Sequence, residues 1–209
     1  MITKKTSFVS AIILFAILCL LTSGCNSTAS SNLSKEAQKT DKLFLEGKMF
    51  HLKQVVEFYD EKSNPIPHYY ELWIAKDKAL CQELDRDGNI LQKIQDDGAM
   101  HISYQPDTLN AVKHESSRIF MINPVSLVAM EDYGVISGES YDYCKRDCRV
   151  YKLSNGEDED EDEILLYVDE ETGHILFCDA PLFCMKTASI EVLAFDDTVF
   201  SIPEGIKFK

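Results

Sequence analysis

Positive charge is scarce in this chain of 209 residues: 21 lysines and arginines stand against 35 aspartates and glutamates, a formal net charge of −14. The arginines are few, namely Arg86, Arg118, Arg146 and Arg149. A surface of that sign repels the phosphate backbone, which excludes nucleic acid as a partner, and it repels anionic membrane surfaces as well. Signatures of chemistry are also missing. There is no G-x-S-x-G, no H-E-x-x-H and no phosphate loop, and His51, His68, His101, His114 and His174 are scattered without helical metal spacing. The expectation is a protein that is not an enzyme, with no catalytic residue, no metal site and no cofactor. The one long apolar run, 11–21, falls short of the roughly 20 residues of a permanent membrane span.

What surrounds that run is informative. Lys4 and Lys5 precede it, small residues follow, and it ends at Cys25, the three-part plan of a secretory signal. Leu21-Thr22-Ser23-Gly24-Cys25 resembles the bacterial lipoprotein signal, with the glycine and cysteine in place and the leucine one position early. The resemblance implies cleavage behind Gly24 and a diacylglyceryl thioether on Cys25. A further acyl chain is then expected, because a single chain binds a bilayer only marginally. The implied location is the extracytoplasmic face of the cell membrane, or an outer membrane where the source has one. The chain then divides into a signal peptide, 1–24, a polar serine-rich tether, 25–33, and a single β-rich domain, 34–209. The first 24 residues carry two lysines and no acid, so the remainder is more acidic still.

In SKEAQKTDKLFLEG, Leu33, Ala37, Leu43 and Phe44 fall on roughly one helical face, Ser34 can cap and Gly47 can terminate. From Lys48 the rhythm is that of strands: MFHLKQVVEFYD, then EKSNPIP, whose prolines are expected to block regular structure, then HYYELWIAKD, KALCQELD, ILQKIQD and AMHISYQ. Arg86-Asp87-Gly88-Asn89 and Asp96-Asp97-Gly98 carry the Asp-Gly hairpin signal. Asp85, Asp87 and Asn89 resemble an ion-binding loop, but Gly88 stands in the fourth place and not the sixth, so a turn is predicted. FMINPVSLVAMEDY reads as a short buried helix, with Pro124 at an early position. CRVYKLS, a hairpin ILLYVDEETGHILFCDA turned at Glu170-Glu171-Thr172-Gly173, FCMKTASIEVLAFDD and TVFSIPEGIKF complete the chain.

The helix before Lys48, the strand and turn Tyr167-Val168-Asp169-Glu170-Glu171-Thr172-Gly173-His174-Ile175-Leu176 and the ending Asp197-Thr198-Val199-Phe200-Ser201-Ile202-Pro203-Glu204-Gly205 resemble the lipoprotein-carrier family of LolA, LppX and RseB. That resemblance implies an α+β fold, an incurved antiparallel sheet or half-barrel with helices covering its concave face. It also implies a hydrophobic ligand, a lipid or acyl chain, between sheet and helices. The wall residues would be Val56, Phe58, Tyr70, Leu72, Ile74, Leu80 and Met100, with Leu127, Val128 and Met130 as cover. Alternation alone fits a filled core equally well. An envelope protein partner that meets an acidic surface, as for RseB, is the alternative.

Cys19 leaves with the signal and Cys25 takes the lipid, so Cys81, Cys144, Cys148, Cys178 and Cys184 remain. Export permits disulfides, and the candidates are Cys178 with Cys184 across a hairpin and Cys144 with Cys148 in CKRDC. Cys81 is the spare. Zinc and redox roles compete less well, since the spacings miss the usual zinc pairs and the C-x-x-C gap. The acidic run 157–163 reads as a solvated loop.

Overall fold

The structure, a computed structural model, describes residues 32–60, 63–97, 100–114, 134–154, 164–181 and 183–208. Among these, α-helix α1 (Asn32–Leu45) leads into β1 (Lys48–Tyr59), β2 (Pro65–Ile74), β3 (Ala79–Leu84), β4 (Ile90–Asp96), β5 (His101–Tyr104) and β6 (Asn110–His114). There follow β7 (Gly134–Tyr143), β8 (Arg146–Ser154), β9 (Ile164–Asp169), β10 (Ile175–Ala180), β11 (Phe183–Ala194), a single-turn 3-10 helix (Asp197–Phe200) and β12 (Lys207–Phe208). The described strands form one sheet of 12, ordered β12-β6-β5-β4-β3-β2-β1-β11-β10-β9-β8-β7. β12 runs parallel to β6, and the other pairings are antiparallel. Two meanders, β1–β6 and β7–β11, therefore meet where β1 pairs with β11.

Local chemistry explains the punctuation. α1 ends where Gly47 takes φ 71 and its N–H returns to the Phe44 carbonyl at 3.1 Å, a left-handed terminus that glycine adopts without steric cost. The helix starts at Asn32, so two residues expected in the tether are helical. At the β3–β4 turn Gly88 takes φ 87, and the Asp85 carboxylate accepts from the backbone of Asp87 and Asn89 and from Asn89 Nδ2. Those bonds hold Asp85 below the usual carboxylate range. The ion-like trio is a hairpin turn, as its glycine position predicts.

Pro65 and Pro67 lie within β2 instead of blocking it. They pair with Tyr59 and Glu57 of β1, while the pairing of β2 with β3 begins only at Tyr69. Among the described residues this end of β2 has one neighbouring strand, the edge position at which a sheet tolerates proline.

The sheet has two covered faces. On one, α1 lays Phe44 and Leu43 on Phe50, Leu52, Leu72, Ile74 and Cys81. On the other, the segment after β11 places Phe200 and Val199 on Met49, Trp73, Ala75 and Leu80, then Ile202 and Ile206 on Ile102, Tyr104 and Ala111. Gln95 Nε2 donates to the Phe200 carbonyl and so pins this segment from below. The expected fold is corrected in one respect. The sheet is open, and α1 is the only α-helix on its face among the described residues; the second face is covered by the single 3-10 turn Asp197–Phe200 and the irregular chain that follows it. The predicted helix containing Leu127, Val128 and Met130 lies outside the described residues, as do 1–31, with Cys25 and the signal, and the acidic run 157–163.

Candidate functional site: the helix-side apolar face

Strand alternation assembles the site. Phe50, Leu52, Gln54, Val56 and Phe58 leave β1 on the side of α1, opposite Ile74, Leu72, Tyr70, His68 and Ile66 of β2. On the other flank Val56 faces Met185 and Phe58 faces Phe183 of β11, Met185 faces Cys178 of β10, Cys178 faces Leu166 of β9, and Leu166 faces Tyr151 of β8. These side chains form two apolar clusters, one beneath α1 and one beyond it, and Tyr70 packs against both. Gln54 lies between Leu52 and Val56 along β1, buried, with Nε2 donating to Thr187 Oγ1 at 3.0 Å. At the edge of the face His68 stacks on Tyr70, meets Phe58 edge-on with centroids 5.4 Å apart, and contacts Glu83 through Nδ1 at 3.1 Å. Burial, then the nearby Glu83 charge, pushes the Tyr70 hydroxyl well above its ordinary range, so it stays neutral. The result is a buried apolar layer with a few fixed polar groups.

Of the predicted wall, Val56, Phe58, Tyr70, Leu72 and Ile74 come together here. Leu80 and Met100 do not. Leu80 packs with Met49, Ala75 and Phe200, and Met100 with Ile102, Tyr104 and Ala111, both on the opposite face. The reason is one step of register: in β3 it is Cys81 that faces Leu72, so Leu80 faces Trp73 and points away. Conversely, Tyr151, Leu166, Cys178, Phe183 and Met185 belong to the wall. The alternation Leu166, Val168 and Phe183, Met185 carries that signal.

Helix α1 is anchored by the β9–β10 turn. Thr40 Oγ1 donates to the Thr172 carbonyl at 2.7 Å, and Lys39 Nζ donates to the Glu170 carbonyl. The turn is held by buried Asp169, which accepts from Thr172 Oγ1 and from Arg146 Nη2 at 2.8 Å. Next to it, His174 lies buried with its ring 5.3 Å from Phe50. Burial lowers its pKa to about 4, against the opposing pull of Asp169, so the ring is neutral at pH 7.

The cysteines Cys81, Cys144, Cys148, Cys178 and Cys184 are all free thiols. Cys178 faces Met185 while Cys184 faces Asp179, so the two side chains project from opposite faces of the β10–β11 hairpin. That register corrects the expectation that they face each other. Cys144 sits in the β7–β8 turn at φ 56, its thiol directed to the Thr187 carbonyl at 2.8 Å, and Cys148 is buried in β8. His101 and His114 meet with ring centroids 5.3 Å apart, yet no group of three His, Cys, Asp or Glu among the described residues is placed to hold a metal ion. No helix among them is long and apolar enough to cross a membrane.

No family model matches the chain. No curated protein matches it in sequence. Solved structures do share its fold, an open antiparallel sheet of the kind found in MucB. In the Pseudomonas aeruginosa MucA/MucB complex the similarity covers 83% of this chain and 62% of that one, at 12% identity and TM-score 0.56. The present chain thus spans a little over three fifths of the MucB chain it matches. An uncharacterised conserved protein of Thermus thermophilus is similar over 86% of this chain and 99% of its own, at 8% identity and TM-score 0.55. A LolA superfamily protein of Nitrosomonas europaea aligns over 83% and 99%, at 9% identity and TM-score 0.42.

Proposed function

We propose that the protein is a cell-envelope lipoprotein, anchored through Cys25, that holds a lipid or acyl chain against the helix-side face of its sheet. The observation that carries the reading is the apolar surface shared by β1, β2, β8, β9, β10 and β11, with Tyr70 joining its two clusters. A tethered protein acts locally, which suits holding or sensing better than shuttling. Two tests separate anchor from ligand. Cys25→Ala should move the protein from the membrane to the soluble fraction, and retention on the membrane would overturn the anchor. Native mass spectrometry with lipid extraction of the chain from Ser31 onward should find a bound acyl species; a clean apo protein that also fails to take up a fluorescent fatty acid would overturn the ligand.

A second reading has its own support. MucB, whose fold is shared, was solved in complex with MucA, so an envelope protein partner is the alternative occupant of this chain's surface. Cross-linking in envelope fractions tests it. One partner, lost on deletion of 157–163, is the supporting result.

A further inference from the structure

We propose that β7 is a docking edge, which adds to the sheet an extended protein segment with apolar residues on one side and lysine or arginine on the other. The site is distinct from the apolar face described above. β7 is the last strand in the sheet order and, among the described residues, hydrogen-bonds to β8 alone. Its other side therefore presents backbone N–H and C=O groups in the spacing that a further strand completes. A register shift between Ser137 and Ser140 divides the strand into two regular runs, Gly134 to Ser137 and Ser140 to Tyr143, and the docking edge proposed is the second. It is as long as β5, which the sheet accommodates between two neighbours.

The side chains on that edge dictate the partner. Tyr141 and Tyr143 lie on the face opposite α1, where they extend a cross-strand aromatic row. Tyr167 and Phe177 stack with centroids 4.7 Å apart, Tyr143 lies 5.6 Å from Tyr167 and 5.8 Å from Phe177, and Tyr141 lies 5.1 Å from Tyr167. The row ends in the open, with Tyr141 53% exposed. An apolar or aromatic side chain on an added strand would continue it, and such cross-strand pairs stabilise a sheet. On the alternate side Asp142 is exposed and faces exposed Asp147 across the hairpin, and Glu139 is exposed at the register shift. The arginines of β8 do not neutralise this edge, because Arg146 is held by Asp169 and Glu171 and Arg149 by Glu170. A second copy of this acidic chain would bring like charges together, whereas a basic strand relieves the repulsion.

The test uses the full chain in detergent and a short fluorescein-labelled peptide of alternating lysine and valine, followed by fluorescence anisotropy. Binding should saturate and should weaken about tenfold when alternate backbone nitrogens of the peptide are methylated, since that removes the ladder and keeps the charge. Asp142→Lys and Tyr141→Ser should each weaken binding by a similar factor, with unchanged urea unfolding midpoints. Equal binding of the methylated peptide would reduce the effect to general attraction by an acidic surface and overturn the proposal. Absence of binding, or variants that bind like the parent, would overturn it as well.

Discussion

Thr40 on α1 and Thr172 in the β9–β10 turn are joined by a buried hydrogen bond of 2.7 Å that ties the start of the folded chain to its far meander. Replacing Thr40 with valine keeps the shape and strands the Thr172 carbonyl. The expected cost is about 1–3 kcal/mol in urea unfolding, largely restored by Thr40→Ser. Equal midpoints for the parent and Thr40→Val would remove this contact from the account of how α1 is held.

Neutral His174 makes stability depend on pH. In the unfolded chain it titrates at its ordinary 6.5, and in the fold at about 4. The unfolded state therefore binds more protons between those values, so stability is full above pH 6.5 and falls as pH drops toward 4. The loss from this group approaches about 3 kcal/mol. Urea midpoints measured from pH 7 down to pH 4 should fall less steeply in His174→Gln than in the parent.

Asp169 is buried and relies on Arg146. Arg146→Ala leaves a buried carboxylate without its cation, for an expected loss of about 3 kcal/mol or more. The exposed Arg86, on the β3–β4 turn, provides the contrast: Arg86→Ala should stay within about 0.5 kcal/mol of the parent.

Thiol chemistry should follow exposure. Cys144 is the one exposed thiol among Cys81, Cys144, Cys148, Cys178 and Cys184, and burial pushes Cys178 up to about 12. Brief alkylation of the native protein, read by peptide mass mapping, should mark Cys144 first and leave Cys178 unmodified. Protein prepared without reductant should show no peptide linking Cys178 to Cys184, and finding one would mean the β10–β11 register differs from that described.

The two faces of the sheet should separate ligand holding from stability. Phe58→Ala lies on the helix-side wall, where it meets Phe183 with centroids 6.3 Å apart, and should reduce the bound acyl species several-fold. Leu80→Ala is buried on the other face. It should cost about 2–5 kcal/mol while leaving the bound fraction of folded protein unchanged.

Much of the sheet is legible in the sequence because its strands alternate and its turns carry glycine where φ is positive, as at Gly88 and Gly173. What escapes notice is what does not alternate. β7 reads GVISGESYDY, a polar edge with little to bury, and β6 reads NAVKH. β12 is a two-residue strand whose register comes from β6 rather than from its own pattern. The faces of Leu80 and Met100 are equally hidden, since adjacent apolar residues such as Leu80 and Cys81 give no parity until a partner strand fixes it. The positive φ of Cys144 and Lys145 has no glycine to announce it.

The pairing of Lys48 with Ala194, which closes the β1–β11 seam, also sets a timetable for the chain. As the chain emerges N-terminus first, the first meander can zip up, yet the outer side of β1 must wait until nearly all the remaining chain has followed. For that interval a long strand bearing Phe50, Leu52 and Val56 has an unmatched side, the state most open to capture by another chain. Folding of this protein should thus depend on helpers that recognise unpaired strands, and a truncated chain lacking β11 should aggregate where the longer chain does not.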